Sequence, residues 1–352
     1  MIKRLINKFV LSIISLTLVI FTLGTSTFAW FSLSEDGEVT NINITVGGGE
    51  ELYLSLNNKD YYSVIPASLF LNYLKGNNGE KEISLCPVTS TDGRTIKNLN
   101  GDVLKTVEDG LNVNFIKLKV YFRAIDVNEP KAEEYGLGVY IDKFNPDVTF
   151  ENANSEEGTY IISKGIKARA DVNYTDYDIE TGEPIDIHST DVVTKYASDA
   201  VRVAFYDNQY NFYGSQDLAT SYYDLSYRNR RDLSSYGYGY GYGSSLEDLK
   251  GGASYYYEKT GRFLEPEELK VPVNTPSNGF SEFGQEDVAM DATSADGFIC
   301  YLTPVDVGVY EGYMTLLIWL EGFDPDCYNV IANDEIIISL SFRLAYRTFE
   351  EK

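Results

Sequence analysis

Residues 114–125, NFIKLKVYFRAI, alternate apolar and polar side chains with a period of two. One row contains only apolar residues: Ile116, Leu118, Val120, Phe122 and Ala124. The opposite row contains three cations: Lys117, Lys119 and Arg123. Because successive side chains of a β-strand point to opposite faces of a sheet, this stretch is predicted as a strand with one face in a core and one in water.

Alternation of this kind recurs over most of the chain after residue 40. It is present in NINITV, residues 41–46, and in six further stretches: 137–142, 166–173, 200–206, 298–302, 313–320 and 335–346. YDIETGEPIDI, residues 177–187, is typical of a hairpin, and the best helix signal is the segment from Ser63 to Leu74. Strands without intervening helices must bury one face against another sheet. The sequence therefore predicts an all-β protein, an antiparallel jelly-roll-like β-sandwich.

The alternation weakens between residues 206 and 290, where tyrosines accumulate and the run SSYGYGYGYGSS occurs at 234–245. We interpret about 207–290 as a long irregular Tyr/Gly-rich insertion in a single domain that spans residues 30–352. If the run were a strand, Tyr236, Tyr238, Tyr240 and Tyr242 would form a self-associating ladder. A flexible loop is favoured, because glycine has high backbone entropy and no aliphatic burial offsets it.

The first 29 residues resemble an export signal. A basic start precedes an apolar run from Phe9 to Leu23, and small or polar residues follow it. This pattern predicts cleavage between Ala29 and Trp30 and a secreted mature protein. The alternative is an uncleaved membrane anchor, which would be the chain's one route to a membrane.

Cleavage removes three positive and no negative charges and moves the formal charge from −24 to −27. So acidic a protein repels nucleic acid and anionic lipid headgroups within the screening length. The charge therefore argues against a polyanionic partner, unless calcium bridges the two molecules.

Catalytic motifs are absent from the sequence. His188 is the one histidine, there is no HExxH zinc motif, and no nucleophile motif or phosphate-binding loop occurs. We therefore predict no enzyme activity, no catalytic residue and no organic cofactor. Cys86, Cys300 and Cys327 are too few for a disulfide framework. One disulfide and one spare thiol is the simplest expectation, although the sequence does not assign the pair.

Calcium is the one cofactor for which the sequence offers ligands. DYDIETGE places Asp176, Asp178 and Glu180 at alternate positions, but its glycine falls one place late for an EF-hand loop. A second acidic group lies in WLEGFDPDC: Glu321, Asp324 and Asp326. Both groups are candidate calcium ligands. The alternative is that they are ordinary solvated turn formers, as acidic residues in turns usually are.

Three segments of the chain resemble the secreted TasA/camelysin-like proteins of Gram-positive bacteria. They are TSTFAWFS at 25–32, AVRVAF at 200–205, and IWLEGFDPDC at 318–327, the last followed by a strand that ends in SLSF. The resemblance implies a jelly-roll fold, processing by a dedicated signal peptidase, and assembly into the extracellular matrix fibres of a biofilm. The single histidine does not support the metalloprotease activity described for camelysin. The Tyr-rich insertion makes this chain longer than the family pattern.

Together these observations predict a secreted, non-enzymatic structural protein of the cell surface or extracellular matrix, with itself as the main partner. Ile42, Ile44 and Val46 lie shortly after the processed end and could complete the sheet of a neighbouring subunit. The alternative for this strand is pairing within its own domain, which costs no association entropy. The alternative function is an adhesin or saccharide-binding module that uses the Tyr-rich insertion. A more distant one is a hydrolase with paired carboxylates.

Overall fold

The computed structural model describes much of the chain after residue 36. The described residues are 37–46, 52–65, 67–77, 84–90, 94–99, 101–104, 115–125, 127, 132, 136–142, 145, 148–178, 183–206, 220–223, 249–262, 291–292, 298–322, 324, 327, 331 and 333–347. The predicted signal peptide, the cleavage residues Ala29 and Trp30, and the Tyr-Gly run lie outside them.

The first half of the chain contains β1 Gly37–Val46, β2 Leu52–Ser55, β3 Val64–Ile65, α1 Ala67–Asn77, β4 Ser84–Leu85, β5 Pro87–Val88, β6 Ile116–Ala124, β7 Leu137–Ile141, β8 Tyr160–Ser163 and β9 Ile166–Arg169. The second half contains β10 Tyr174–Tyr177, β11 Pro184–Ile187, β12 Val192–Lys195, β13 Val201–Tyr206, β14 Thr220–Tyr223, α2 Gly251–Thr260, β15 Asp291–Ala292, β16 Phe298–Asp306, β17 Val309–Glu321 and β18 Glu335–Arg347. Two 3-10 turns lie at Ala153–Ser155 and Ala197–Ala200.

Two sheets face each other across one core. In the first sheet β18 pairs with β1 and β15 along one edge and with β7 and β8 along the other, and β3 and β4 lie beyond β1. In the second sheet β17 pairs with β6 and β13, and β2 and β14 lie beyond them. This arrangement confirms the predicted all-β sandwich.

The two sheets are joined at both sides, so the sandwich is close to a barrel. The first half of β16 pairs with β7, and its second half pairs with β17. On the opposite side Leu54 of β2 bridges to Tyr62, just before β3. Most ladders are antiparallel, as predicted, but β1 runs parallel to β18. The alternation of side chains with a period of two is the same in parallel and antiparallel strands, so it does not predict which of the two forms.

In β6, the strand with the clearest period of two, burial follows the alternation that the sequence shows. Along β6 the apolar row is buried, and the row with the cations is half-buried or exposed. Phe342 of β18 is in edge contact with Phe122 of β6, at 5.4 Å between ring centroids, and with Phe205 of β13, at 6.1 Å. These aromatic contacts hold the two sheets together across the core.

Outside the second sheet lies a smaller apolar cluster. Its buried members are Val88, Ile96, Phe115, Ala204, Leu317 and Trp319. The segment that supplies Val88 and Ile96 folds back on itself, since Thr89 and Lys97 exchange backbone hydrogen bonds of 2.9 and 2.8 Å. The segment covers the outer face at the end of β17, so both rows of that half-strand are buried.

The helix prediction was wrong at its start. Val64 and Ile65 form β3, and α1 begins only at Ala67. Ile65 is fully buried against β1, which explains why its backbone is extended rather than helical. Tertiary pairing here overrides the local helix signal.

Residues 165–196, which we call the arm, form two hairpins that leave the sandwich and return to it. β9 pairs with β12, and the predicted hairpin is present within it as β10 and β11. Helix α2 packs on β10. Within the range interpreted as an irregular insertion, the structure therefore places two ordered elements, β14 and α2.

Candidate functional site

The N-terminal strand lies in the sheet of its own chain, between β18 and β3. Ile42 is in register with Ile338, and Ile44 with Leu340. Ile42 and Ile44 are both fully buried. Val46 is in register with Phe342, although its side chain lies outside the described residues. The structure thus places β1 in the pairing that the sequence left open as the alternative to donation.

A buried ion pair joins the central and C-terminal strand ends. The Arg202 guanidinium, on β13, contacts the Asp324 carboxylate just after β17, and their side chains are only 6% and 4% exposed. Arg202 Nη1 also donates to the carbonyl oxygens of Asp199 and Val201, at 3.2 and 3.0 Å. The pair therefore fixes the start of β13 against the turn that follows β17.

Glu321 lies next to this pair and is fully buried. Its Oε2 accepts a hydrogen bond of 3.0 Å from Trp319 Nε1. Glu321 and Asp324, two of the calcium candidates, are thus engaged by Trp319 and Arg202, while Asp326 lies outside the described residues. Within the part of the chain that the structure describes, no three His, Cys, Asp or Glu side chains are grouped to hold a metal ion.

The other calcium candidates lie in the arm. Asp176 accepts from Lys195 Nζ at 3.2 Å, and both side chains are largely buried, at 14% and 9% exposure. Lys195 Nζ also lies 5.0 Å from the Tyr174 ring centroid, a cation–π contact. The Asp178 backbone N–H donates to the Glu183 carbonyl oxygen at 2.8 Å and closes the hairpin. Glu180 lies outside the described residues. Asp176 thus holds the two hairpins of the arm together.

Asp334 holds the base of the arm, a role that the sequence analysis missed. One carboxylate oxygen accepts from the Gly165 N–H, where the arm leaves the sandwich, and the other from the Ala197 N–H, where it returns, both at 2.8 Å. Burial raises the pKa of Asp334, and these hydrogen bonds counteract part of that effect. Beside it, Ser163 Oγ donates to Ser198 Oγ at 3.3 Å. In the sequence, the one local signal for this role of Asp334 is its place as a short acidic side chain shortly before the apolar run of β18.

Helix α2 is attached to the arm by polar and aromatic contacts. Tyr255 meets Tyr174 edge to face, with ring centroids 5.4 Å apart. The Tyr255 hydroxyl donates to Asp171 at 3.1 Å, and Lys259 Nζ lies 2.5 Å from the same carboxylate. Burial raises the pKa of Asp171, but its bonds to Lys259 and Tyr255 together lower it further than burial raises it. Burial also raises the pKa of Tyr255.

The outer face of the second sheet carries the basic row of β6. We define the cationic face by six side chains: Lys117, Lys119, Arg123, Tyr61, Tyr121 and Tyr313. Arg123 lies over the Tyr61 ring at 4.0 Å and pairs with Glu311, with Nε at 2.6 Å from Oε1. Lys119 Nζ lies 4.9 Å from the Tyr313 ring centroid. Aromatic rings thus orient two of the three cations.

The three cysteines and the single histidine all lie among the described residues. The expected disulfide was wrong: all three cysteines lie among the described residues and none is bridged to another. Cys300 and Cys327 are buried, as a small apolar side chain would be. His188 is 73% exposed, and its Nδ1 lies 3.5 Å from the Asp191 carboxylate at a turn of the arm.

Comparison with known proteins identifies no relative. This chain matches no protein-family model, no curated protein and no solved structure. Among the described residues, no helix has the length and hydropathy needed to cross a membrane.

Proposed function

We propose that the mature chain is a secreted, non-enzymatic structural protein of the cell surface or biofilm matrix, which assembles into fibres through its N-terminal strand. The export-type N-terminus, the strongly acidic composition and the resemblance to TasA/camelysin-like proteins support this function. The position of β1 is the observation that carries it. This strand is the first element after the predicted cleavage site, and its buried side chains fill a place beside β18.

An N-terminal strand in such a place is suited to exchange between copies. Only residues 47–51 separate β1 from β2, and the parallel ladder to β18 supplies most of its backbone pairing. If β1 leaves, the same strand of a second copy meets identical partners, so the exchange loses no contact. The association entropy opposes exchange, and a high local concentration favours it.

Each exchange is directional, because one copy gives its strand and another receives it. A subunit that receives one strand still carries its own strand for the next subunit. Heterologous contacts of this kind continue into an open filament unless the rotation between copies closes a ring. High net charge keeps the exported monomer soluble until it reaches the site of assembly.

Electron microscopy of the concentrated mature protein, residues 30–352, tests the proposal. We expect fibres that lengthen with protein concentration, and we expect the uncleaved chain to form none, because its first strand is preceded by the signal segment. Parallel samples with calcium and with a chelator test whether calcium is the trigger. A mature protein that stays monomeric in all samples but is retained on a saccharide column would contradict the fibre proposal and support an adhesin.

A further inference from the structure

The outer hairpin of the arm is acidic and open to solvent. Residues 183–186 are exposed on both faces of β11, and they include Glu183 and Asp186. Ile185 on the same strand is 39% exposed, and Val192 on β12 is 63% exposed. A two-stranded hairpin is at best marginally stable alone in water. Here Asp334 and α2 hold the arm in place, so it presents these side chains in a fixed position.

The cationic face offers the opposite charge on an open sheet. Lys119 is exposed and Lys117 is half-buried, and they lie in the same row about 7 Å apart along β6. Tyr62 and Val64, at 37% and 49% exposure, add apolar surface next to Tyr61. A chain with a net charge of −24 thus concentrates cations on a face that also carries aromatic rings.

These two surfaces are connected through β13 and β17 of the second sheet. The arm returns to the sandwich at Ala197 and leads into Val201, which pairs with Leu320 at the end of β17. Arg123 pairs with Glu311 near the start of β17. Lys119 and Lys117 are in register with Thr315 and Leu317, so they lie about 10–17 Å from Leu320 along the strand. Among the described elements, β6 packs mainly against β17, β2 and β16, and β11 mainly against β10, so the arm does not cover the cationic face of its own molecule. That face is therefore open to the hairpin of another molecule.

We propose that the acidic arm of one molecule docks on the cationic face of a second copy, an inference that rests on the proposed self-assembly. Glu183, which shares a row with Ile185, lies against Lys117 and Lys119, and Asp186 adds its charge from the opposite row. Ile185 packs against the edges of the Tyr121 and Tyr313 rings. A second copy fits better than a saccharide, because Lys119 and Arg123 already lie over the rings of Tyr313 and Tyr61. Sugar stacking would need those ring faces.

Charge complementarity gives this contact its orientation. Two copies of so acidic a chain repel each other in most orientations. An arm that meets the cationic face replaces part of that repulsion by attraction, which selects one relative orientation rather than adding much affinity. Since the two surfaces differ, the contact is heterologous and, like strand exchange, extends a row of copies unless the rotation closes a ring.

A reciprocal charge exchange tests the contact. One variant of the mature chain carries Lys117→Glu with Lys119→Glu, and the other carries Glu183→Lys with Asp186→Lys. Sedimentation velocity should show that each variant self-associates about tenfold more weakly than wild type, because like charges then face each other. When the two variants are mixed, every arm meets a face of opposite charge, and association should return to the wild-type level.

The matched control is Lys97→Glu with Lys164→Glu, which makes the same change in net charge at a half-buried and an exposed residue outside both surfaces. This control should associate as wild type does, whereas general repulsion would weaken it as much as the change on the cationic face. Circular dichroism melting shows whether each variant is folded. A mixture that fails to restore association overturns the contact.

Fibres counted by electron microscopy separate this proposal from the proposed function. If all variants form fibres equally well, the arm contact is overturned and the fibre function stands. If wild type forms no fibres but the two reversed variants still pair when mixed, the contact stands and the fibre function fails. Retention on an anionic saccharide that is lost only in the Lys117→Glu, Lys119→Glu variant, with unchanged association, also overturns the contact.

Discussion

Arg202 and Asp324 form a buried ion pair between two segments that are far apart in the sequence. Arg202 belongs to AVRVAF and Asp324 to IWLEGFDPDC, and both segments contribute to the resemblance to TasA/camelysin-like proteins. Arg202 is also in register with Trp319, whose indole binds Glu321. Arg202, Glu321 and Asp324 are therefore used inside the fold, at the end of the second sheet.

Replacement of Arg202 by Met should lower the free energy of unfolding by about 3–5 kcal/mol, because Asp324 would remain buried without its cation. The matched control is Arg123→Met. Its ion pair with Glu311 is partly exposed, at 38% and 27%, and should contribute no more than about 1 kcal/mol. Urea denaturation measures both. Addition of Asp324→Leu to Arg202→Met should recover part of the loss, and equal losses for the two arginines would contradict the buried-pair argument.

Trp319→Ala should cost about 3–5 kcal/mol of unfolding free energy, since the side chain is fully buried in the outer cluster. Tyr313 belongs to the same outward row of β17 but is only half-buried, so Tyr313→Ala should cost clearly less. Thermal melting compares the two variants. A near-neutral Trp319→Ala would show that the segment containing Val88 and Ile96 does not cover the second sheet in solution.

Ile44→Asp should lower the melting temperature of the monomer, because it places a charge in a fully buried position between β18 and β3. Thr45→Asp on the opposite, half-buried row is the control and should change stability much less. Fibre formation is measured on the same samples. If Ile44→Asp leaves the monomer as stable as wild type but abolishes fibres, β1 is not held in its own chain and acts only in a neighbour. Wild-type stability and wild-type fibres together would contradict any role for this strand.

Asp334→Asn should destabilise the fold by about 1–3 kcal/mol, because an amide nitrogen cannot accept the Gly165 or Ala197 N–H. The raised pKa of Asp334 means that the folded state binds the proton more tightly than the unfolded state. Wild-type stability from this group is therefore complete below the ordinary carboxyl pKa of about 4 and is lost as pH rises through the raised value. The difference in the free energy of unfolding between wild type and Asp334→Asn should therefore decrease as the pH rises.

Asp171→Asn is the control with the opposite sign. Its pKa is lowered, so its contribution is present above the ordinary carboxyl pKa and is lost as the pH falls through the lowered value. The difference in the free energy of unfolding between wild type and Asp171→Asn should therefore increase as the pH rises. Denaturation at a series of pH values measures both differences. If the two differences change with pH in the same direction, the opposite pKa shifts of Asp334 and Asp171 are contradicted.

Cleavage between Ala29 and Trp30 should leave a secreted protein that starts at Trp30, because Thr27 and Ala29 present small residues after the apolar run. N-terminal sequencing of the secreted fraction decides this. Recovery of the chain from the membrane fraction with its start at Met1 would favour the anchor.

Strand positions were predictable because burial of one face imposes a period of two on the sequence. β6 lies where that period is clearest, whereas β17 and β18 follow apolar runs whose residues are mostly buried on both faces. The Ser63–Leu74 segment shows the limit of local signals, since Ile65 is extended by its pairing with β1. Trp319 shows a second limit. It lies in the outward row of β17, and only the return of the chain around Val88 and Ile96 buries it.

By itself, the sequence determined the fold class and the net charge, and it predicts an export signal, because each of these follows from local composition or from alternation along one strand. Only the tertiary structure decided which charges are paired. Arg202 with Asp324, Lys195 with Asp176, and Asp334 with the base of the arm join residues that no local spacing relates. Whether a carboxylate is solvated, binds an ion or accepts from a buried donor depends on the strands that surround it. That neighbourhood exists only once the two sheets have packed together.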